Sequence, residues 1–495
     1  MLNLPDELYT AEQIRELERI ADKDAALSSS TLMTHAGASA LQLLKQQWPD
    51  AKHILILSGI GNNGGDGFEL ARQATLEGYH VTVLQVGGKK TLTKTAAAAK
   101  DALLLTGTKI HYSQETLPAA DVIVDAIFGT GINRAVEGEA STIIKALNKI
   151  EQACVLSIDI PSGLQADTGR PLGPTVNATI TLSFIGLNLG LFTGYGPNYC
   201  GHVYFESLDI PSAIYDHVAP VALRINLEKE GERLVPRERT GHKGLYGHLL
   251  IIGGDDGMSG AARISAEAGA RVGAGLISIA TRTTHSALLN LTRPELMCHG
   301  IEDAESLAPL LRSSNALTLG PGLGQNDWGQ TLFKKTVETS LPMVVDADAL
   351  NLLSKNPQHR DHWILTPHPG EAARLLHCTT AEVQADRFNA VRELQAIYGG
   401  IIVLKGSGTL IYSGETTIRL SSSGNPGMGS GGMGDVLAGV IGGLLAQGFP
   451  LLDAACIGVA LHGMAGDKAA EQGGERGMLA MDLMPYLRLL SNSAS

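Results

Sequence analysis

The sequence has few cysteines, few aromatic residues and no long hydrophobic run. Five cysteines occur among 495 residues, at Cys154, Cys200, Cys298, Cys378 and Cys456. Because they are scattered, odd in number and form no CxxC pair, they indicate neither a disulfide framework nor a cysteine-based zinc site. No apolar stretch reaches the roughly 18 residues of a membrane-spanning helix, and the charged N-terminal segment is unlike a signal peptide. We therefore expect a cytoplasmic protein without a membrane partner.

Positive charge is also scarce. The chain has 38 Lys and Arg residues against 50 Asp and Glu, which gives a formal net charge of −12. A net acidic chain lacks the broad basic surface that nucleic acids require, so we expect no nucleic-acid partner. Small anions remain compatible, because backbone N–H groups can bind a phosphate locally.

Glycine, by contrast, is abundant, with 59 residues, and 44% of the chain is hydrophobic. These values are typical of an α/β enzyme rich in tight loops. From His53 to about Leu208, apolar runs of four to eight residues alternate with helical stretches, and a second such series begins at His248. The pattern predicts two α/β domains, residues 1–223 and 244–495, each with a parallel sheet wrapped by helices. The charged segment 224–243 is the predicted linker.

Residues 428–437 read MGSGGMGDVL and lead into an apolar, glycine-spaced run, which indicates a glycine-rich loop opening onto a helix. Its backbone N–H groups and the helix dipole can bind a phosphate or stabilise a developing oxyanion. Asp435 is the unusual residue, because a carboxylate repels a bound phosphate unless it abstracts a proton or holds a metal. The alternative is that Asp435 only caps the helix.

The first domain has a second glycine-rich segment, GIGNNGGDG, at residues 59–67, between the strand HILIL and a helix predicted over 68–76. It contains a GxGxxG pattern, which suggests a pyrophosphate at a helix N-terminus in a Rossmann-like, doubly wound sheet. The next strand lacks the usual terminal acidic residue, so ordinary binding of a redox cofactor is not expected. Asn62, Asn63 and Asp66 supply the polar groups instead, although the paired Asn residues could simply occupy left-handed turn positions.

Two further strand ends of the first domain carry acids. Asp125 ends VIVD, and Asp159 ends LSID shortly before Ser162. In an open parallel sheet the ligand crevice lies at the carboxyl ends of the strands, so Asn63, Asp125 and Ser162 are predicted to converge. Their oxygens suit a hard cation such as K⁺ or Mg²⁺ rather than zinc. Asp159 remains available as an acid or base.

In the second domain, polar residues follow four strands. They are Gly320–Gly324, Asp346 with Asp348, Thr366–Glu371 and Lys405–Thr409. Lys405 offers a point charge to phosphates, and the following hydroxyl and N–H groups can bind them. His368 either orients a substrate or is a rigid-turn residue between two prolines. One of Asp346 and Asp348 is expected to cap the following helix.

With these motifs the sequence resembles the bifunctional NAD(P)H-hydrate repair enzymes over nearly its whole length. In that family an NAD(P)HX epimerase is fused to an ADP-dependent (S)-NAD(P)HX dehydratase of ribokinase-like fold. GNNGGDG, VDAIFGTG and SIDIPSG match the epimerase half. GPGLG, DADAL, TPHPGE, KGSGT and NPGMGSGGMGDVL match the dehydratase half.

For the first half, the resemblance implies a substrate site and a K⁺ site. The implied K⁺ ligands are Asn63, Asp125 and Ser162. The implied substrate residues are Asn62, Asn63, Gly64, Gly65, Asp66, Gly129, Thr130, Gly131, Ile132, Asn133, Arg134, Ala135 and Asp159, of which Asp159 is the candidate acid or base.

For the second half, the resemblance implies a hydrate site beside a nucleotide site. The implied hydrate contacts are Ala261, Gly322 or Gly324, His368 and Asp435. The implied nucleotide residues are Lys405, Gly406, Ser407, Gly408, Thr409, Gly431, Gly432 and Gly434. The expected partners are NADHX, NADPHX and ADP or ATP, with Mg²⁺ accompanying the nucleotide, and a homo-oligomer is expected.

The implied chemistry agrees with these residues. Loss of the C6 hydroxyl from a hydrated nicotinamide ring needs a better leaving group than hydroxide, which phosphoryl transfer supplies. Asp435 would take the hydroxyl proton while the N–H groups around residues 431–434 stabilise the transferring phosphoryl. Two alternatives are open: a small-molecule kinase, and a first domain that binds without catalysing. The choice between ADP and ATP, and between NADHX and NADPHX, is open too.

Overall fold

The computed structural model describes residues 4–88, 90–112, 116–415 and 417–492. The chain divides into two compact units, Met1–Leu223 and Arg224–Ser495, named unit 1 and unit 2 below. Both combine parallel strands with helices, which confirms the predicted α/β class. Within the described part of the chain, no helix is long and apolar enough to cross a bilayer.

Unit 1 is built on a parallel sheet. The strands of unit 1 are β1 (Glu7–Tyr9), β2 (His53–Ser58), β3 (His80–Gln85), β4 (Ile110–Tyr112), β5 (Val122–Ala126), β6 (Val155–Ile158), β7 (Ile180–Phe184), β8 (Leu187–Asn188) and β9 (His202–Glu206), and β10 (Ala222–Ile225) spans the boundary at Leu223. The sheet order is β4-β3-β2-β5-β6-β7-β9, with every pair parallel. Strand β1 pairs in parallel with β8 and antiparallel with β10. The strand order reverses between β2 and β5, so a ligand crevice is expected at their carboxyl ends.

Helices cover both faces of this sheet. They are α1 (Ala11–Ala25), α2 (Ser29–Gln47), α3 (Asn62–Leu76), α4 (Lys94–Leu104), α5 (Gly138–Leu147), α6 (Gly196–Tyr199) and α7 (Ser212–Tyr215), with a 3₁₀ turn at Leu189–Leu191. Alternate side chains of β2 enter opposite cores, because strand side chains point to opposite faces in turn. Ile54 and Ile56 pack with α1 to α4, whereas Leu55 and Leu57 pack with α5. The doubly wound arrangement predicted for this domain is confirmed.

Unit 2 has a longer, mostly parallel sheet. Its strands are β11 (His248–Ile252), β12 (Leu276–Thr281), β13 (Met297–Gly300), β14 (Ala316–Leu319), β15 (Met343–Val345), β16 (Trp363–Leu365), β17 (Ile401–Leu404), β18 (Thr409–Tyr412) and β19 (Ile418–Ser421). The order is β13-β12-β11-β14-β15-β16-β17-β18-β19. The pairs are parallel up to β17, and β17-β18-β19 is antiparallel. The carboxyl ends of β14, β15, β16 and β17 therefore lie along one edge.

The longest helices of unit 2 surround a buried central helix. The helices are α8 (Leu227–Gly231), α9 (Ser259–Arg271), α10 (Thr283–Ser286), α11 (Ala304–Ser313), α12 (Asp327–Val337), α13 (Ala347–Lys355), α14 (Pro369–Leu375), α15 (Thr380–Ala385), α16 (Arg387–Tyr398), α17 (Met433–Ala446), α18 (Leu451–Gly473) and α19 (Met484–Leu490), with 3₁₀ turns at Pro426–Met428 and Ala480–Leu483. Helix α17 is buried along almost its whole length. A Cβ at its Gly439 would collide with the carbonyl of Ser265 in α9, so glycine permits this close crossing.

Two boundaries differ from the sequence-based expectation. Helix α3 begins at Asn62 rather than Phe68, because Gly61 takes the extended N-cap conformation and NNGGD forms the first turns. The segment 224–243, predicted as a linker, is part of unit 2 and contains α8. Leu227 and Leu234 from this segment pack against the core of the unit.

Candidate active sites

A cavity of about 870 Å³ lies at the carboxyl ends of the unit 1 strands. It is bounded by the segments that follow β2, β5 and β6 and by side chains of α1 and α2. The predicted site residues that line it are Asn62, Asn63, Asp66, Gly129, Thr130, Gly131, Ile132, Asn133, Arg134, Ala135 and Asp159. The structure therefore brings together residues 62–66, residues 129–135 and Asp159, which lie far apart in the sequence.

Gly64 and Gly65 lie beneath this cavity rather than in its wall. A Cβ at Gly64 would collide with the carbonyl of Gly59, and one at Gly65 would press on Met33 of α2. Both glycines are buried in the first turns of α3. They allow the loop after β2 to fold tightly onto the helix, which sets the position of the neighbouring Asn63.

Asp159 follows β6 in a left-handed conformation, with φ of 68°. This conformation is uncommon for a residue with a side chain and is frequent at functional sites. The Thr130 N–H donates to Asp159 Oδ2 at 3.1 Å, which joins the ends of β5 and β6. Burial raises the pKa of Asp159 to about 6, and the hydrogen bond from Thr130 opposes that rise. A carboxyl group with this pKa can exchange a proton near neutral pH.

Two further carboxyl groups with raised pKa values line the cavity. Glu18 reaches it from α1, and Asp66 reaches it from α3. Burial and the charge of Asp159 raise the pKa of Glu18 to about 7, and Arg15 opposes this rise. Burial, with the charges of Asp159 and Glu18, raises the pKa of Asp66 well above its ordinary value. Sequence reasoning missed Glu18, because nothing in the amphipathic pattern of α1 distinguishes it from a solvent-facing acid.

Asp125 is fully buried behind the cavity and organises the ends of β5 and β6. Its Oδ2 accepts from Ser157 Oγ and from the Ser162 N–H, both at 2.8 Å, and its Oδ1 accepts from Ser162 Oγ at 2.5 Å. Burial raises the pKa of Asp125, while the hydrogen bonds from Ser162 and Ser157 oppose the rise. The Phe128 N–H in turn donates to Ser162 Oγ at 2.8 Å, which fixes the start of the cavity loop.

The side chain of Asn63 lies against this loop. It is buried, and neither Oδ1 nor Nδ2 has a hydrogen-bond partner in the described structure. A Cβ at Gly129 would stand 3.2 Å from Asn63 Cβ, so Asn63 borders the segment that Ser162 anchors. A buried amide is costly without a partner. The described residues hold no group of three His, Cys, Asp or Glu side chains suited to a metal. The amide of Asn63, the carboxylate of Asp125 and the hydroxyl of Ser162 are oxygen donors of the kind that a hard cation prefers.

In unit 2, Lys405 stands at the centre of a polar cluster. Its Nζ donates to Asp346 Oδ1 at 2.7 Å and lies 3.8 Å from Glu371 Oε2. A Cβ at Gly434 would lie 3.3 Å from the same Nζ, so the start of α17 is adjacent. Burial lowers the pKa of Lys405, but the charges of Asp346, Glu371 and Asp435 outweigh it and raise the pKa above its ordinary value. The ammonium group therefore stays charged.

Asp435 lies in the first turn of α17, as the sequence predicted. The N-cap is Gly432, in the left-handed conformation with φ of 91°, so the alternative view of Asp435 as the helix cap is wrong. Burial raises the pKa of Asp435 to about 7, Asp346 adds to the rise, and Lys405 opposes it. A carboxyl group at this position, with this pKa, beside helical N–H groups, can serve as a general base for a group held at the helix N-terminus.

His368 is the N-cap of α14. Its Nδ1 accepts from the N–H groups of Gly370 at 3.0 Å and Glu371 at 3.3 Å, and Glu371 Oε2 accepts from the His368 N–H at 2.8 Å. This is a reciprocal capping box. Because Nδ1 accepts, the neutral ring carries its proton on Nε2. Burial lowers the pKa of His368, and Lys405 adds to the lowering. His368 thus has a structural role at the start of α14, while about half of its side chain remains exposed, and contact with a substrate stays a prediction.

The carboxylates after β15 do not cap α13 in the expected way. Asp346 occupies the N-cap position but makes no side-chain cap, and it accepts from Lys405 and from Thr366 Oγ1 at 2.8 Å instead. Asp348 Oδ2 accepts from the Gly324 N–H at 3.0 Å. The expectation that one of these residues caps α13 is therefore wrong, because both side chains bind neighbouring loops at strand ends.

The glycine segment after β14 approaches α9. Gly322 and Gly324 have φ values of 59° and 71°, which favour glycine. A Cβ at Gly322 would lie 3.3 Å from Ala261 Cβ, whereas one at Gly324 would lie 2.5 Å from Asp255 Oδ2. Ala261 is thus beside Gly322, and Gly324 is held between Asp255 and Asp348.

Residues Lys405–Gly408 form the turn between β17 and β18. The fully buried Arg387 donates to the carbonyl groups of Leu404 at 3.3 Å, Lys405 at 3.3 Å and Gly408 at 3.0 Å. With three carbonyls fixed by one guanidinium, the turn has a defined shape next to Lys405. Sequence reasoning missed Arg387, which lies eighteen positions before Lys405 and at the start of a helix.

Two family models match the chain. The model described as YjeF-related protein N-terminus matches residues 29–190, and the model described as NAD(P)H-hydrate dehydratase matches residues 249–488. Among solved structures, a ribokinase-like superfamily protein from Enterococcus faecalis has a TM-score of 0.50 and 28% identity, and it covers 55% of this chain and 96% of that chain. The ribokinase-like fold predicted for the second domain is confirmed.

Full-length relatives extend this likeness to both units. The bifunctional NAD(P)H-hydrate repair enzyme of Coxiella burnetii is 46% identical over 486 residues, which are 98% of this chain and 99% of that protein. The enzyme of the same description from Escherichia coli is 43% identical over 492 residues, covering 99% of this chain and 95% of that protein. Because these relatives are more than 40% identical and match over nearly their whole length, the chain belongs to the family of bifunctional NAD(P)H-hydrate repair enzymes.

Proposed function

We propose that the chain repairs hydrated NADH and NADPH in two steps. Unit 1 interconverts the (R) and (S) hydrates, and unit 2 dehydrates the (S) hydrate with ADP or ATP as co-substrate. Residues 1–223 and 244–495 would then be the two catalytic domains. The observation that carries the proposal is the position of Asp435 at the N-terminus of α17, beside Lys405 and with a raised pKa. The chain also belongs to a family whose members are described as bifunctional repair enzymes.

In unit 2, the nucleotide phosphates would lie between Lys405 and the N-terminus of α17. The turn Lys405–Thr409 and the glycines Gly431, Gly432 and Gly434 would supply the N–H groups that bind them. A Mg²⁺ ion bound with the nucleotide would be held mainly by its phosphates. The hydrate would then lie toward Ala261, Gly322 or Gly324, and His368.

The reaction begins when Asp435 takes the proton of the C6 hydroxyl and the hydroxyl oxygen attacks the terminal phosphoryl group. The bond from that phosphorus to the nucleotide breaks, and the shortened nucleotide leaves. Phosphate then departs from C6 as a proton passes from C5 to solvent, so that a C5–C6 double bond forms and the reduced dinucleotide is restored. Lys405 and the helical N–H groups stabilise the negative charge during transfer.

In unit 1, Asp159 would act as the acid or base for epimerisation at C6. The substrate would lie in the cavity between residues 62–66 and 129–135. Asn63, Asp125 and Ser162 would hold K⁺, which would give the amide oxygen of Asn63 a partner and fix the loop after β5. No proton transfer is assigned to the ion.

The small-molecule kinase alternative is not favoured. It would employ Lys405 and Asp435 but leave the acidic cavity of unit 1 without a role. The decisive experiment supplies a mixture of (R) and (S) hydrates without nucleotide, with ADP and with ATP, and follows the absorbance of the reduced nicotinamide. Full recovery requires both units, recovery of the (S) fraction alone requires only unit 2, and no recovery contradicts the proposal.

A further inference from the structure

Three of the carboxyl groups that line the cavity of unit 1 come from three separate elements. Glu18 comes from α1, Asp66 from α3 and Asp159 from the end of β6. The remaining charged or titratable groups in the wall are Arg15 on α1, Arg134 and Glu137 after β5, and Lys90 after β3. An acidic cluster alone indicates no chemistry. Here it lines a cavity together with Asn63, whose buried amide has no partner in the described structure.

The position of Glu18 follows from how α1 is fixed. Thr10 and Gln13 form a capping box at its start, and the Ala11 N–H donates to Asp167 Oδ1 at 2.7 Å. Ile14 and Leu17 are buried on the core side of the helix. Ile14 and Arg15 line the cavity together with Glu18, as expected for residues three and four positions apart on one helix.

The charge of each carboxylate opposes ionisation of the others. Asp159, with a pKa of about 6, loses its proton before Glu18, with a pKa of about 7. Glu18 then loses its proton at about pH 7, against burial and the new charge of Asp159. Burial and the charges of Asp159 and Glu18 raise the pKa of Asp66 well above its ordinary value, which favours its protonated form. Between these steps one carboxylate stands beside one protonated carboxyl, an arrangement that divides acid and base roles.

We propose that Glu18 is a second catalytic carboxyl group of unit 1, the proton donor that works with Asp159 as proton acceptor. The proposal rests on the epimerase function proposed above. Glu18 gives its proton to the C6 hydroxyl oxygen, the C–O bond breaks, and water leaves as the ring nitrogen lone pair forms a C6–N1 double bond.

Water then adds to the other face of C6. A new C–O bond forms, the electron pair returns to the ring nitrogen, and Asp159 takes the proton lost by the adding water. One proton has passed from Glu18 to Asp159, and its return through solvent restores the enzyme, with no oxidation or reduction. The acidic wall favours this path because the intermediate ring is a cation.

The test measures epimerisation of a single purified hydrate by the full-length chain in the absence of nucleotide, so that dehydration does not consume the product. Glu18→Gln keeps the size of the side chain but cannot give up a proton. Its kcat is expected to fall at least about 10²-fold, with KM changed by less than about threefold. Glu16→Gln is the matched control, because Glu16 lies on the same helix, is exposed and pairs with Arg19 at 2.5 Å. Its rate should equal that of the wild type.

A pH profile of the wild-type chain provides a second, mutation-free readout. The rate should rise as Asp159 ionises at about pH 6 and fall as Glu18 loses its proton at about pH 7. Glu18→Gln should lose the falling limb. A wild-type rate that stays level far above pH 7, or a folded Glu18→Gln variant within about threefold of wild type, overturns the role of Glu18. Absence of epimerisation in the wild type overturns the proposed function itself.

Discussion

Lys405 Nζ lies 2.7 Å from Asp346 Oδ1, and this contact holds a buried ammonium group at the N-terminus of α17. The same ammonium opposes the rise in the pKa of Asp435. One side chain therefore serves two purposes in unit 2. It supplies positive charge for phosphates, and it keeps the proposed base ionisable near neutral pH.

Replacing Lys405 should affect both purposes. In Lys405→Met the affinity for ADP is expected to fall at least about tenfold, because a charge-assisted contact to phosphate is lost. The pKa of Asp435 should rise further, so the pH at which dehydration reaches half its maximum moves upward. Lys468→Met, which removes an exposed lysine paired with Glu471, is the control and should change neither quantity. An unshifted pH profile would contradict the electrostatic coupling.

Asp435→Asn keeps the size of the side chain and removes the base. We expect the variant to fold and bind ADP, and to lose at least about two orders of magnitude in the rate of (S)-hydrate dehydration. Epimerisation by unit 1 should continue at the normal rate, which provides an internal control. Dehydration at a near-normal rate would show that Asp435 is not the base of unit 2.

The same variant should be more stable than wild type at neutral and higher pH. The pKa of Asp435 is raised from 3.8 to about 7 in the folded chain, so the folded state binds this proton more tightly than the unfolded state does. This group therefore costs stability as pH rises from about 4 to about 7. The Tm of Asp435→Asn should exceed that of wild type above pH 7, and the difference should vanish below pH 4. A Tm difference that stays constant across this pH range would contradict the raised pKa of Asp435.

His368 provides a test that separates capping from substrate binding. Asn is a good N-cap residue, so His368→Asn should retain the stability that His368→Ala loses, about 1 kcal/mol. If the exposed face of the ring also contacts the hydrate, both variants should lose about tenfold in kcat/KM for dehydration. A fully active His368→Asn variant would restrict His368 to its structural role.

Asp125→Asn tests the cation site. Asp125 accepts hydrogen bonds from Ser157 and Ser162, and an amide conserves the size of the group while weakening the oxygen set. We expect epimerisation to need a higher K⁺ concentration and to slow, while dehydration of pure (S) hydrate stays intact. Asp101→Asn, at an exposed position of α4, is the control. If the rate of epimerisation by the wild type did not depend on K⁺, the proposed cation site would be wrong.

The strand–helix alternation predicted the fold well because buried parallel strands read as continuous apolar runs. Strand ends also predicted which polar residues meet, as with Asp125 and Ser162 or Asp346 and Lys405, since the carboxyl ends of parallel strands share one edge. Local detail was harder to predict. NNGGD reads as loop, yet the extended N-cap Gly61 starts α3 at Asn62.

Residues that act across elements were not predictable from local patterns. Glu18 reaches the cavity from a helix far from any glycine motif, and its role depends on the packing of α1. Arg387 shapes the Lys405 turn from another helix, although a fully buried arginine cannot be identified from its sequence neighbours. One of Asp346 and Asp348 was expected to cap a helix, but Asp346 instead contacts Lys405, and this contact depends on strand adjacency.

The central claim is that two separate sites on one chain restore hydrated dinucleotides. It is tested most directly by supplying wild type, Asp159→Asn and Asp435→Asn with equal mixtures of (R) and (S) hydrates plus ADP. Reduced-nicotinamide absorbance should recover fully with wild type. With Asp159→Asn, rapid recovery should stop near the (S) fraction, and with Asp435→Asn recovery should be negligible. Full rapid recovery by either variant, or no recovery by wild type, would contradict the claim.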